Sequence, residues 1–142
     1  MSIDPRKNTE IGHFLGIDYG KADVGLALAD EETKIAFIYK TLKNDKNFPR
    51  NLAEIIEREN VKTVVIGIPG YIYTNVETHC DASLRQLAEN LKNLGVTIKY
   101  QNEMFTTKIA QAKLIEKGVK GIKRYDDQEA ARIILQEYLD NN

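Results

Sequence analysis

Three acidic side chains lie at the ends of predicted secondary-structure elements, where carboxylates can carry out chemistry. Asp18 ends an apolar, strand-like segment, Glu103 shortly follows another, and Asp127 lies in the first turn of a helical segment. Hard divalent cations prefer oxygen ligands, and two such ions held by carboxylates can hydrolyse a phosphodiester. These residues therefore indicate a site for Mg²⁺ or Mn²⁺ and a hydrolytic reaction on a phosphodiester.

Each acid also has a simpler interpretation. Burying a carboxylate is costly unless a cation or hydrogen bonds compensate it, so Asp18 either binds a cation or caps the turn that follows. Glu103 is either a ligand or a solvated loop acid. Asp126 and Glu129 are spaced like a capping box, which gives Asp126 a local role and leaves Asp127 without one.

Hydrophobic periodicity predicts the element order β-β-β-α-β-α-β-α-α. Short connections make the first three strands an antiparallel meander, and helical crossovers make the last two parallel to the first. The sequence therefore predicts an α/β fold, a mixed five-stranded sheet with helices on both faces. The predicted strands are Phe14–Asp18, Val24–Ala29, Lys34–Tyr39, Lys62–Ile68 and Val96–Tyr100, and the predicted helices are Pro49 to about Asn60, about Thr78 to Leu94, Thr106–Lys117, and Asp126 to about Leu139.

This topology brings distant acids together. In open α/β sheets, binding sites lie beyond the carboxyl ends of the parallel strands. Asp18, the loop Gly67-Ile-Pro69 and Glu103 all follow such ends. We therefore expect two carboxylates that are far apart in the chain to meet at one edge of the sheet.

The length and composition are typical of one soluble domain. The chain has 142 residues, of which 42% are hydrophobic and 29% charged. Residues 1–12 read as a loose polar leader and residues 13–142 as a single domain. The single cysteine, Cys80, excludes an intrachain disulfide and suits a reducing compartment. No apolar stretch is long enough to predict a membrane span or a secretory signal, so we expect a cytoplasmic protein without a membrane partner.

Positive charge is concentrated in one segment of a chain whose net charge is −1. Between Lys108 and Arg124, the only acid is Glu116. Such a segment is either a solvated helix face or a surface that binds a polyanion such as a nucleic acid. Its basic residues are Lys108, Lys113, Lys117, Lys120, Lys123 and Arg124.

Four motifs resemble the YqgF family, also known as pre-16S rRNA nucleases or Holliday-junction-resolvase-like proteins. They occur in the family's order and at its spacing, and the resemblance covers roughly Phe14 to the C-terminus. The motifs are Gly16-Ile-Asp-Tyr-Gly20 with Gly25-Leu-Ala27, Val65-Ile-Gly-Ile-Pro69, Glu103 with Thr106-Thr107, and Asp127-Gln-Glu-Ala-Ala131.

The resemblance implies a ribonuclease-H-like fold, a hydrolase that cuts phosphodiester bonds, and catalytic metal ligands at Asp18, Glu103 and Asp127. It implies nucleic acid as the partner, with processing of the 5′ end of pre-16S rRNA as the expected role. A Holliday-junction-resolvase-like DNA endonuclease and a non-catalytic nucleic-acid-binding or ribosome-assembly module are the alternatives. Both a monomer and a homodimer remain open. Actin-like ATPases share the opening motif but need two such domains, whereas this chain has one.

The sequence departs from the family pattern at basic positions. The basic pair usual after Gly20 is replaced by Lys21-Ala-Asp23, and Met104 stands where a basic residue usually follows the catalytic Glu. We therefore expect the remaining basic residues to bind more of the nucleic acid. They are Lys21, Lys113, Lys117, Lys120, Lys123 and Arg124.

Overall fold

The computed structural model describes residues 11–68, 82–102 and 126–142 of the chain. The predicted helix Thr106–Lys117 lies outside these residues. The elements are β1 (His13–Tyr19), β2 (Asp23–Asp30), β3 (Phe37–Lys43), α1 (Phe48–Arg58), β4 (Val61–Ile68), α2 (Ala82–Asn93), β5 (Thr97–Asn102) and α3 (Asp126–Asp140).

The five strands form one mixed sheet in the order β3-β2-β1-β4-β5. The pairs β1–β2 and β2–β3 are antiparallel, and the pairs β1–β4 and β4–β5 are parallel. This confirms the predicted sheet of three antiparallel strands followed by two parallel ones. β1 lies at the centre, so its residues have a hydrogen-bonded strand on either side.

A hydrophobic cluster lies on each face of the sheet. On one face, alternate residues of the central strands, such as Leu15 and Ile66, pack with Leu52 of α1 and Leu87 of α2. On the other face, Ala27, Ala29 and Val65 pack with α3. The predicted placement of helices on both faces is therefore confirmed. The side chains on the α3 face are smaller, which allows that helix to approach closely.

The local sequence explains where the first two helices begin and end. Pro49 lies in the first turn of α1, where its missing N–H costs no hydrogen bond. The buried residues Leu52, Ile55 and Ile56 follow the helical period that the sequence predicted. Gly95 follows α2 with a φ of 80°, a conformation that glycine adopts without strain.

The third strand lies further along the chain than predicted. The sequence predicts Lys34–Tyr39, but the strand is Phe37–Lys43. The Asp30 carboxylate accepts hydrogen bonds from the N–H groups of Glu32 and Thr33, and Lys34 then has a φ of 55°. This turn is longer than the predicted Asp30-Glu31-Glu32, and it delays the start of the strand.

Two residues of the predicted leader are bonded to the domain. The Gly12 N–H donates to a carboxylate oxygen of Glu31 at 3.0 Å. The Asn60 side-chain amide donates to the Ile11 carbonyl at 3.0 Å. Residues 1–10 lie outside the described residues. None of the helices in the described part of the chain combines the length and apolar character needed to cross a membrane.

Candidate active site

Asp18 is buried near the carboxyl end of the central strand. Its exposed fraction is 5%, and among the described residues it shares the class of buried polar side chains only with Asn102. Its direct strand neighbours are Gly25 on β2 and Gly67 on β4. The predicted burial of this acid is therefore confirmed.

The Asp18 side chain lies on the α3 face of the sheet. Successive residues of a strand point to opposite faces. Leu15 and Ile17 belong to the cluster with α1 and α2. A Cβ added to Gly16 would lie 2.7 Å from the Leu135 Cβ and 2.8 Å from the Ala131 carbonyl oxygen, both in α3. Gly16 and Asp18 therefore share the face that α3 covers.

Asp18 lies in a row of five residues that runs across the whole sheet in register. From β3 to β5 the row is Thr41, Gly25, Asp18, Gly67 and Gln101. Glycine flanks Asp18 on both sides, and α3 occupies the space that side chains would fill. A Cβ on Gly67 would collide with the Ile134 side chain, and a Cβ on Gly25 would collide with the backbone of Asp127.

The same contact brings Asp127 close to Asp18. Asp127 is half-buried in the first turn of α3, and its Cβ would lie 2.9 Å from a Cβ on Gly25. Gly25 and Asp18 are direct antiparallel partners, whose Cα atoms are about 4.5–5.5 Å apart in such pairs. Asp127 in α3 therefore lies over the strand neighbour of Asp18, on the face of the sheet that carries the Asp18 side chain.

Two glutamines that the sequence analysis missed anchor α3 to β3 and to Ala36, the residue just before that strand. The Gln128 side-chain amide donates to the Thr41 hydroxyl at 3.0 Å. The Gln136 side-chain Oε1 accepts from the Ala36 N–H at 2.9 Å. The two glutamines are eight residues apart, close to the same helix face, which is the sequence signal that could have indicated a shared role.

Glu129 forms an ion pair within α3. The Arg132 guanidinium donates to its carboxylate at 3.0 and 3.1 Å. This bond holds the pKa of Glu129 below its usual value. The capping box predicted from Asp126 and Glu129 stays a prediction, because the Asp126 side chain lies outside the described residues.

The turn after β1 is held by Asn44 and presents Lys21 to solvent. The Asn44 amide donates to the Gly20 carbonyl at 2.7 Å, and the Asn44 N–H donates to the Ala22 carbonyl at 2.9 Å. Lys21 is exposed in this turn. Asp23, the acid that departs from the family pattern, forms a salt bridge with Lys43 at 3.3 Å. Its charge is therefore offset by the neighbouring strand.

The remaining predicted site residues lie outside the described residues. Glu103 directly follows β5, whose last residue, Asn102, is buried. Within residues 11–68, 82–102 and 126–142, no group of three His, Cys, Asp or Glu side chains is placed to hold a metal. The carboxylate oxygens of Asp18 and Asp127 are the donor type that Mg²⁺ and Mn²⁺ prefer. The other residues outside are Lys113, Lys117, Lys120, Lys123 and Arg124.

Comparison with known families gives one match along nearly the whole chain. Residues 12–141 match the model of the RuvX family, described as a Holliday junction resolvase. A protein of Malacoplasma penetrans named "Putative pre-16S rRNA nuclease" is 33% identical over 132 residues, covering 89% of this chain and 92% of that protein. A Porphyromonas gingivalis protein of the same name is 33% identical over 138 residues, covering 92% and 98%.

Two solved structures share the fold at low sequence identity. RuvC of T. thermophilus, in complex with a Holliday junction substrate, is 14% identical with a TM-score of 0.54, over 92% of this chain and 94% of that one. The Fowlpox virus resolvase, in complex with Holliday junction DNA, is also 14% identical, with a TM-score of 0.57 over 91% and 97%. The ribonuclease-H-like fold implied by the sequence is thereby confirmed.

Proposed function

The chain belongs to the RuvX family of Holliday junction resolvases, and on that premise we propose that it is a metal-dependent nuclease that processes precursor 16S rRNA. The observation that carries the proposal is the proximity of the buried Asp18 to Asp127 at the carboxyl end of the central strand. Relatives named for pre-16S rRNA nuclease activity, at one-third identity over nine-tenths of the chain, support this substrate. Such a role belongs in the cytoplasm.

In this proposal Asp18, Glu103 and Asp127 hold Mg²⁺ or Mn²⁺ through their carboxylate oxygens. When bound, the ions supply an activated nucleophile and stabilise the leaving oxygen. The chain supplies rigidity. Asp18 is fixed between two hydrogen-bonded strands, and the first turn of α3 is held against Gly25 and Thr41. Ligands on such elements keep their geometry without reorganising when substrate binds.

Positive charge near this edge would bind the phosphate backbone. Lys21 is exposed in the turn that directly follows β1, within three residues of Asp18. The basic segment joins Glu103 to Asp127 along the chain, so both of its ends start at proposed metal ligands. Cationic side chains in this segment can bind a polyanion while the metal ions offset the acids at the cleavage point.

A second candidate is an endonuclease that resolves branched DNA. The description of the matching family model favours it. A resolvase needs two active sites to cut two strands symmetrically, so this activity requires a dimer. Comparing the cleavage of a pre-16S RNA 5′ region and a four-way DNA junction, alongside light scattering, separates the two candidates. A monomer that cuts only the RNA would eliminate the resolvase.

The test is a cleavage assay with single-residue variants. Asp18→Asn, Glu103→Gln and Asp127→Asn should each lower kcat/KM more than about 100-fold, since losing even an outer-shell partner costs 10–100-fold. The neighbouring change Asp126→Asn is the control and should retain most activity. EDTA should abolish cleavage, and Mg²⁺ or Mn²⁺ should restore it. Circular dichroism should be unchanged, because neither hydrophobic cluster contains a proposed metal ligand.

Full activity in EDTA would eliminate the metal mechanism. If Asp126→Asn loses activity and Asp127→Asn retains it, Asp126 and not Asp127 is the metal ligand of α3. A protein that cuts neither the RNA nor the junction in the presence of Mn²⁺ would leave the non-catalytic binding module as the remaining role.

A further inference from the structure

A small pocket lies on the face of the sheet opposite α3, next to the proposed active site. Its volume is about 170 Å³, below the size of most drug-binding cavities. Tyr19, at the end of β1, and Phe48, at the start of α1, form one side. Ser83, Gln86 and Asn90 of α2 form the other. Nothing in the proposed metal site uses this pocket.

The pocket and the proposed metal site share a strand end. Tyr19 directly follows Asp18, and the two side chains point to opposite faces of β1. The rise between consecutive strand residues is about 3.3 Å. Asn44, which also lines the pocket, bonds the Gly20 carbonyl and so fixes the turn that continues from both residues. A strand of nucleic acid crossing this sheet edge would therefore pass both sites.

The lining suits a neutral, planar, hydrogen-bonding ring. The half-buried Tyr19 offers aromatic surface and is supported by the buried ring of Phe48, with the two ring centroids 6.1 Å apart and the planes tilted by 51°. The Gln86 side-chain amide donates to the side-chain Oδ1 of Asn90 at 3.0 Å, so these two side chains present an ordered pair of amides. Among the described lining residues, none is Lys or Arg and the one acid is Asp45, so the pocket does not favour a phosphate.

We propose that this pocket binds one nucleobase of the strand being cleaved, next to the scissile phosphate. Single-stranded RNA is recognised mainly by bases that are splayed out, stacked on aromatic rings and hydrogen-bonded at their edges. Amide side chains carry both donors and acceptors and can bond such edges. The pocket then sets the register of the strand over the metal site. This inference rests on the proposed nuclease function for its meaning, but binding can be measured without cleavage.

The experiment measures binding of short fluorescein-labelled single-stranded RNAs by anisotropy in EDTA, which prevents metal-dependent cleavage. An abasic nucleotide is moved one position at a time along the RNA. One position should weaken binding about tenfold, or about 1.4 kcal/mol, which lies within the range usual for base–aromatic stacking. Two variants test the pocket: the double variant Gln86→Ala/Asn90→Ala, and Ser83→Trp, whose large side chain fills the pocket from an exposed site on α2. In both, the abasic nucleotide at that RNA position should no longer weaken binding.

Matched controls come from the same helix. Glu89→Ala and Asn93→Ala change exposed residues of α2 that do not line the pocket, and they should keep the abasic effect. A second readout follows the side-chain amide signals of Asn44, Gln86 and Asn90 by NMR as adenosine or cytidine is added. Shifts confined to these signals, and lost in Ser83→Trp, would support the pocket.

An abasic effect of equal size in the parent and in both pocket variants would overturn the inference, as would nucleoside-induced shifts elsewhere on the surface only. The two proposals fail separately. A chain that shows the abasic effect in EDTA but never cleaves with Mn²⁺ has the pocket without the nuclease. A chain that cleaves with Mn²⁺ but shows no position-dependent abasic effect has the nuclease without the pocket.

Discussion

Three glycines decide how closely α3 can approach the sheet. Each of them lies under one residue of the helix: Gly16 under Leu135, Gly25 under Asp127 and Gly67 under Ile134. A Cβ on any of these glycines would come closer than 3 Å to an atom of α3. At the residue scale, the missing side chains are therefore as important as the carboxylates. Gly25 matters most for the proposed site, because the atoms that it accommodates belong to Asp127.

The change Gly25→Ala tests whether this glycine is needed because a side chain would collide with α3. The new methyl group must displace the first turn of α3, which we expect to cost about 1–3 kcal/mol, as overpacking usually does. Cleavage activity should fall further than stability alone explains, because Asp127 moves. Urea unfolding and kcat/KM measured on the same samples test this expectation.

The matched control is Gly95→Ala. A Cβ there would meet nothing within 4 Å, but the residue has a φ of 80°. Its cost of about 1–2 kcal/mol comes from the left-handed backbone alone, and activity should be retained in the folded fraction. Equal losses of activity in the two variants would show that Gly25 has no special relation to the site.

Residue-level prediction succeeded where a cause is local. The burial of Asp18 could be predicted from the apolar residues before it in the same strand. The bond from Gln128 to Thr41 joins residues 87 positions apart, and no pattern in either segment indicates the partner. The glycines were visible in the sequence as family motifs, but what they accommodate depends on how α3 crosses the strands. The positions of Glu103 and the basic segment stay predictions.

At the scale of elements, β3, one of the two edge strands of the sheet, was the hardest to predict. The apolar residues Ile35, Phe37 and Ile38 lie in the predicted third strand, and their side chains are 52%, 64% and 46% exposed. β3 has a neighbouring strand on one side only, and apolar side chains along it are exposed. The alternation of apolar and polar residues, which identifies more central strands in a sequence, is therefore less regular in β3. The residues of β4 from Val64 to Ile68 are all buried, and the predicted bounds of this strand agree within one residue.

The ion pair within α3 makes a pH-dependent contribution to stability. Arg132 lowers the pKa of Glu129, so the stabilisation is fully present above the unfolded-state pKa and is lost as the pH falls through the folded-state pKa. The side chains are about one-third exposed, so we expect only about 0.5 kcal/mol. Glu129→Gln should therefore have a lower melting temperature than the parent at pH 7, and the difference should shrink as the pH falls through the lowered pKa of Glu129.

Glu137→Gln provides the comparison on the same helix. A negative charge near the carboxyl end of a helix is unfavourable, so its removal should not destabilise the protein at pH 7. A difference between Glu129→Gln and the parent that persists unchanged at low pH would assign the effect to helix propensity instead of the ion pair.

For the whole molecule, the distribution of charge matters more than its sum. The net charge of −1 gives no general attraction to a polyanion, so binding must depend on local positive charge. Replacing Lys120, Lys123 and Arg124 with Ala should weaken RNA binding. Each lost phosphate contact should also reduce the salt slope of log K by about 0.7–0.9. Anisotropy titrations at several salt concentrations measure both quantities.

The matched control is the replacement of Lys62, Lys92 and Lys99 with Ala. These are three exposed lysines outside the basic segment, so the net charge changes equally. Metal-dependent cleavage at low salt should survive in both triple variants. If the two variants bind RNA with the parent's affinity and salt slope, the basic segment is a solvated surface.

The position of α3 after all five strands has a consequence during protein synthesis. Asp18 leaves the ribosome about 110 residues before Asp127, which corresponds to roughly 5–20 s at ordinary elongation rates. During that interval the sheet can assemble, but α3 does not yet cover the three glycines, and the proposed third ligand, Asp127, is not yet made. In the proposed mechanism, a nascent chain that still lacks Asp127 has an incomplete metal site, so it is inactive towards RNA until α3 packs over Gly16, Gly25 and Gly67. The order of elements along the chain would thus delay activity until the proposed ligand Asp127 has been synthesised.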